Sequence, residues 1–197
     1  MKVFLTVKNH LLEELVKGLN LEIVKYIFDA DILLFGGTSP DVSPILYNKE
    51  DKTKTPFSLA RDREDIFLYK LAEHLNLPMI GIGRGAQFLN VMLGGRLHQQ
   101  IPNHNKAHPA TIVANSKEIL VSSAHHQSII PSEETSYIPL LIANVYNNND
   151  GSDILDIEAI YYSKQRILCF QPHPEFYNHS ECKEYFEELI KAYYIKG

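Results

Sequence analysis

Residues 78–93 read PMIGIGRGAQFLNVML. A short apolar run enters a turn that holds Gly81, Gly83 and Gly85, and the chain leaves it as an apolar helix closed by Gly94-Gly95. A buried strand that runs straight into a helix belongs to a sheet with parallel neighbours, because the chain must cross back over the sheet before it can pair again. The rest of the first half agrees. Residues 2–7 and 31–35 are strand-like, the second run being stopped by Gly36-Gly37. Helical spacing covers 11–27, broken near Gly18 and Asn20, and 59–75, where Ile66, Leu68, Leu71, Ala72 and Leu75 fall close to one face. The second half changes character. Residues 110–115, 118–122, 138–146, 156–162 and 166–171 are strand-like with few helical stretches between them, which predicts antiparallel or mixed additions to the sheet. Residues 179–195 form an amphipathic helix, with Ser180 as its expected cap. An α/β fold follows, in one domain spanning 1–197, since no Pro/Gly/Ser-rich linker divides the chain.

Composition narrows the function classes. Hydrophobic residues make up 45% and charged residues 22% of 197, an ordinary globular balance. The formal net charge is −5 and the basic residues are dispersed, so neither nucleic acid nor an anionic membrane is an expected partner. The opening MKVFLTVKNH is too short in apolar residues for a secretory signal or a span. Two cysteines, Cys169 and Cys182, give no disulfide framework, so a reducing, cytoplasmic setting is expected, with Cys169 a buried thiol.

Three segments could carry chemistry. A tight turn between strand and helix lifts its central side chain above the sheet, over the helix N-terminus, where a cysteine would ionise readily. Here that central residue is Gly83, which has no side chain. Gly81, Gly83 and Ala86 also fit a loose dinucleotide pattern, but no acidic residue lies between Gly95 and Ser116 to take a ribose. A plain structural turn is the remaining alternative. In FQPHPE (170–175), His173 and Glu175 are two apart across Pro174; in an extended stretch they would point the same way, as a base and its orienting carboxylate must. Gly36-Gly37 ends a strand at the same sheet edge, where exposed N–H groups could hold an oxyanion. AHHQ (124–127) sets His125 and His126 beside an amide. His104 and His108 are spaced by four, but prolines flank them and no third ligand stands nearby, so no metal and no cofactor are expected.

Together these segments resemble the class I glutamine amidotransferase superfamily, and within it the γ-glutamyl hydrolase branch typified by γ-glutamyl-γ-aminobutyrate hydrolase. The family's G-I-C-R-G followed by Q-x-L-N-V-x-x-G-G is GIGRGAQFLNVMLGG here. Its L-x-G-G-x-D-V-x-P-x-x-Y resembles LFGGTSPDVSPILY (34–47), its R-D-x-x-E resembles ARDREDIFL with Asp65 near the usual acid, and its S-x-H-H-Q resembles SSAHHQ (122–127). DIEAI (156–160) and QPHPE (171–175) complete the series in family order. The resemblance implies a three-layer α/β sandwich with a mainly parallel central sheet. It implies a Cys-His-Glu triad with His173 as base and Glu175 as its orienter, and an oxyanion hole from the N–H groups of Gly37 and Arg84. Gly36, Arg84, Gln87, His125 and His126 match positions that line or support a γ-glutamyl pocket. The implied reaction cleaves a γ-glutamyl C–N bond through a thioester and releases glutamate. The partner is then a small γ-glutamyl molecule, with a homodimer as the candidate assembly.

The departure is at the nucleophile. Gly83 replaces the family's cysteine, so no thioester can form, and losing a nucleophile of this kind costs on the order of 10⁶ in kcat, roughly 8 kcal/mol. The expectation is an inactivated Cys-to-Gly form of a hydrolase. A non-catalytic γ-glutamyl binder and a glutaminase subunit feeding a synthetase are the alternatives. The leaving group is framed by Gln99–Ile130 and by 147–153, and a γ-glutamyl-linked nucleotide amidate is one candidate substrate.

Overall fold

The computed structural model describes residues 1–195 apart from residue 38 and residues 51–54, 102–103, 148–152 and 177–178. Most of the 147–153 segment expected at the pocket mouth lies outside the described residues. Among the described residues eleven strands form one sheet: β1 (Lys2–Leu5), β2 (Glu22–Ile23), β3 (Ile32–Phe35), β4 (Met79–Ile82), β5 (Arg96–His98), β6 (His108–Ile112), β7 (Glu118–Val121), β8 (Ser128–Ile130), β9 (Ile138–Asn147), β10 (Asp153–Tyr162) and β11 (Ile167–Phe170). The order is β2-β1-β3-β4-β11-β10-β9-β6-β7, with β8 on β10 and β5 on β8. From β2 to β11 all neighbours are parallel; from β10 outward they are antiparallel.

Among the described residues four α-helices cover the two faces: α1 (His10–Gly18), α2 (Leu59–His74), α3 (Arg84–Met92) and α4 (Ser180–Tyr193). Strand periodicity of two sorts the central side chains. Ile32, Leu34, Ile80, Ile82, Leu168 and Phe170 join α1 and α4 in one core. Leu33, Phe35, Met79, Ile167 and Cys169 join α2 and α3 in the other. The result is helix, sheet, helix, as the resemblance implied.

Local differences have physical causes. The helical spacing of 11–27 ends at Gly18; Asn20 takes a positive φ of 56°, and the chain after it runs into β2 and a short 3-10 turn. Helix α2 turns Asp62, Asp65, Tyr69 and Ala72 fully inward, while Ile66, Leu68, Leu71 and Leu75 are only partly buried. The cap of α4 is His179, without a side-chain hydrogen bond, and Ser180 is already helical. The pair β5–β8 has no counterpart among the strands expected from sequence.

Candidate active site

The strands β3, β4 and β11 lie side by side, and their carboxyl ends open onto one edge of the sheet, where α/β proteins bind their ligands. Gly36-Gly37 follows β3, Gly83 follows β4, and His173 with Glu175 follows β11. Gly83 has φ 56° and ψ −119°, a strained conformation for any residue with a Cβ, and it is the N-cap of α3. The turn is held from below by a contact only glycine permits. A Cβ on Gly85 would lie 2.0 Å from the Phe35 carbonyl oxygen. The turn's backbone is fixed on the strand side as well, by the Gly83 N–H donating to the Phe170 carbonyl at 3.0 Å.

Above this turn sits His173. A Cβ built on Gly83 would be 2.4 Å from its Cε1 and 2.8 Å from its Nε2. The imidazole therefore occupies the space a side chain at 83 would need. Its Nδ1 meets Glu175 Oε1 at 2.7 Å, both groups are buried, and the Phe176 ring stacks on the imidazole at 4.6 Å. A carboxylate on Nδ1 leaves Nε2 to face the turn, which is the orientation a general base requires. His173 and Glu175 meet across a tight turn, closed by the Phe176 N–H to the His173 carbonyl at 3.1 Å, and not along an extended stretch. Ser122 fixes the same turn from the opposite side: its carbonyl accepts from the His173 N–H at 3.0 Å and its hydroxyl donates to the His173 carbonyl.

The other expected residues divide. The Arg84 N–H donates to the Gly37 carbonyl at 2.9 Å, so the two expected oxyanion donors do not form an open pair. The Gly37 oxygen lies 2.9 Å from where a Cβ on Gly83 would be, so the missing side chain is what lets that carbonyl close over the turn. The Arg84 side chain does not line a pocket. It runs beneath the turn, fully buried, with Nη2 2.6 Å from Asp62, Nη1 2.5 Å from Asp65 and Nε donating to the Pro40 carbonyl at 2.8 Å. Burial pushes the Asp62 carboxyl up, with the Arg84 charge opposing. Gly36 offers its carbonyl to Arg61 at 2.7 Å. Gln87 is buried in the first turn of α3.

The two histidines of AHHQ part company. His126 pairs Nε2 with Asp41 Oδ2 at 3.0 Å and holds the Gln99 carbonyl on Nδ1 at 3.1 Å, linking its loop to the one after Gly37. That hydrogen bond to Asp41 raises the His126 pKa, with burial opposing. His125 turns inward, 3.5 Å from Glu158 Oε2, into a buried group that includes His104, His108 and Asp156. The third partner missing from the sequence around His104 and His108 is thus supplied from β10, fifty positions after His108. Glu158 would be raised by burial, but the imidazoles around it, His125 first, outweigh that and lower it. Spacing alone had no means to find this group, because its members come from separate elements. The carboxylates under Arg84 did leave a signal: Asp62 and Asp65 stand three apart on a helix whose other neighbours at that spacing are apolar.

The profile of the family described as Peptidase C26 matches residues 19–118. The chain belongs to the Peptidase C26 family. Among relatives of this Peptidase C26 chain, a glutamine amidotransferase-like protein of Lactococcus lactis subsp. lactis, YvdE, is 31% identical over 165 residues, covering 73% of this chain and 65% of its own length. Protein NtpR of Enterococcus hirae is 28% identical over 176 residues, covering 76% and 69%. The chain thus spans about two thirds of the length of these relatives. Solved structures share the fold: a glutamine amidotransferase of Thermotoga maritima at TM-score 0.62 and 12% identity, over 98% of this chain and 83% of that one, and the glutaminase domain of Trypanosoma brucei CTPS at 0.67 and 12%, over 100% and 95%. The Peptidase C26 fold is therefore a mixed α/β one of the class I glutamine amidotransferase type. Among the described residues no helix is long and apolar enough to cross a membrane.

Proposed function

We propose that the site at Gly83 is that of a hydrolase for γ-glutamyl C–N bonds, in a form that lacks its cysteine nucleophile. One observation supports this above the others: His173 Nε2 stands 2.8 Å from the position of a Cβ on Gly83, with Glu175 on its far nitrogen. Once the imidazole draws back from the space it now fills, a thiol on that carbon would have a base within reach and a helix N-terminus beneath it. A cysteine there attacks the γ-carbonyl, His173 carries the proton to the leaving amine, and water then frees glutamate from the thioester. For the attack, the side chain at 83 displaces the Gly37 carbonyl, which frees the Arg84 N–H to donate to the oxyanion. The family relation supports the class of reaction, and a γ-glutamyl nucleotide amidate is a candidate substrate.

The test is the Gly83→Cys variant, assayed for glutamate release from glutamine, γ-glutamyl amines and γ-glutamyl nucleotide amidates. Release from at least one, abolished by adding His173→Gln, is expected. The second reading, a binder without chemistry, is favoured by the present closure of the turn by Gly37. It would be sustained if the Gly83→Cys variant released nothing while calorimetry of the Gly83 form still detected γ-glutamyl ligands. A glutaminase subunit predicts release only in the presence of a synthetase.

A further inference from the structure

Behind the SSAHHQ turn lies a group of side chains that the γ-glutamyl reading does not use. His104 comes from the segment before β6, His108 from β6 itself, His125 from the turn before β8, and Asp156 and Glu158 from β10. All five are buried, and both carboxylates are wholly so. His108 Nε2 is 3.0 Å from Glu158 Oε1, His104 Nε2 is 3.5 Å from the same oxygen and 2.5 Å from Asp156 Oδ2, and His125 Nε2 is 3.5 Å from Glu158 Oε2. The ligating atoms of His104, His108 and Glu158 all lie within 4.8 Å of one another.

We propose that this cluster is a binding site for a divalent transition-metal cation of the zinc type, ligated by His104, His108 and Glu158, with Asp156 and His125 completing or flanking the shell. The first argument is tautomeric. His108 Nδ1 faces the Lys106 carbonyl at 3.3 Å and His125 Nδ1 faces the Gln127 carbonyl at 2.9 Å. A carbonyl can only accept, so both rings carry their proton on Nδ1. In the neutral ring Nε2 is then a lone pair, and both lone pairs are aimed at Glu158. A lone pair facing a carboxylate at 3.0 Å is repulsive unless a second ring proton or a metal cation lies between them. The same arrangement, with Nδ1–H on a carbonyl and Nε2 inward, is how metal-bound imidazoles are oriented.

The second argument is charge. Asp156 and Glu158 bring two negative charges into a space closed to water, where the groups that face them are the imidazoles themselves. Two carboxylates buried side by side are costly unless positive charge lies among them. One divalent cation neutralises both and leaves the imidazoles uncharged, as ligands must be. Mixed imidazole and carboxylate donors suit zinc and its neighbours better than calcium or magnesium. Because the group is enclosed, the site would be a structural one. It would tie β6, β10 and the turn that carries Ser122 into one unit. The competing arrangement, two protonated imidazoles balancing two carboxylates with no metal, is an outcome of the test.

The protein is purified without added metal and its metal content measured by elemental mass spectrometry; it is then stripped by chelator and titrated with zinc by calorimetry and thermal unfolding, and with cobalt(II) by absorption. About one zinc or equivalent ion per chain, a rise in Tm on adding zinc to the stripped protein, and the intense visible absorption of a four- or five-coordinate cobalt site are expected. Glu158→Gln and His104→Gln should each weaken zinc binding by about a hundredfold or more. Wild-type protein that binds no zinc with an affinity above that of exposed histidines, or shows only the weak absorption of six-coordinate cobalt, overturns the site. So does unchanged binding in a folded Glu158→Gln protein. If the variants fail to fold, the wild-type titration and cobalt spectrum decide alone.

Discussion

Gly83 and Arg84 are adjacent and do opposite things. Gly83 leaves a space above the turn, and His173 and the Gly37 carbonyl both lie within it. Arg84 points down, and its guanidinium bridges two carboxylates on α2, with Arg61 Nε a further 3.6 Å from Asp65. Breaking a buried pair by removing one partner leaves charge without compensation, which is worth about 3–5 kcal/mol. Arg84→Met should therefore lower the urea-unfolding stability by that amount, and the loss should shrink when Asp62→Asn and Asp65→Asn are added. A loss below about 1 kcal/mol would mean that the pairing is not closed to water. The sequence made the empty centre of the turn plain at this scale. It did not disclose which way Arg84 points, because a basic residue in a family motif reads as a ligand contact whether it faces substrate or core.

Among the elements, the parallel strands were legible and the loops between them were not. Short apolar runs ended by glycine, as at Phe35-Gly36 and Ile82-Gly83, mark strands that deliver a turn to the sheet edge, and both do so. Helix α2 misled by apolar count, since its inward stripe holds two aspartates that a hydrophobic template discards. The link between His126 and Asp41 joins two loops that sequence leaves unrelated. Its pH dependence has a definite sign. Because the hydrogen bond to Asp41 raises the His126 pKa above 6.5, its stabilisation is complete below that value and is lost as pH rises through the folded pKa. The lowered Asp41 pKa sets the acid limit, below which the carboxylate takes up its proton. His126→Gln should thus cost most near pH 5–6 and least near pH 9, with a difference no larger than about 1 kcal/mol because the imidazole is partly exposed. Urea midpoints of the two proteins across that range measure it, and a cost that grows with pH would contradict the pairing.

The whole molecule is a parallel half that presents the candidate site and an antiparallel half that braces it. The bracing runs through backbone: the Gln171 N–H donates to the Glu158 carbonyl at 2.7 Å, and Ser122 holds His173 from the loop that follows β7. These long-range links, like the five-residue buried cluster, depend on strand order in the antiparallel half, which periodicity does not encode. They place the imidazole of His173 where the turn after β4 ends. The account turns on whether that imidazole can activate a thiol at position 83. Burial raises Cys182 to about 11 and Cys169 further, so neither native thiol competes for an alkylating reagent. The rate of alkylation by iodoacetamide, followed against pH in Gly83→Cys and in Gly83→Cys with His173→Gln, is the most direct measurement. A profile that stays high well below the free-thiol pKa of about 8.5, and falls roughly tenfold or more near pH 6 when the imidazole is removed, is predicted. Identical profiles in the two proteins would contradict it.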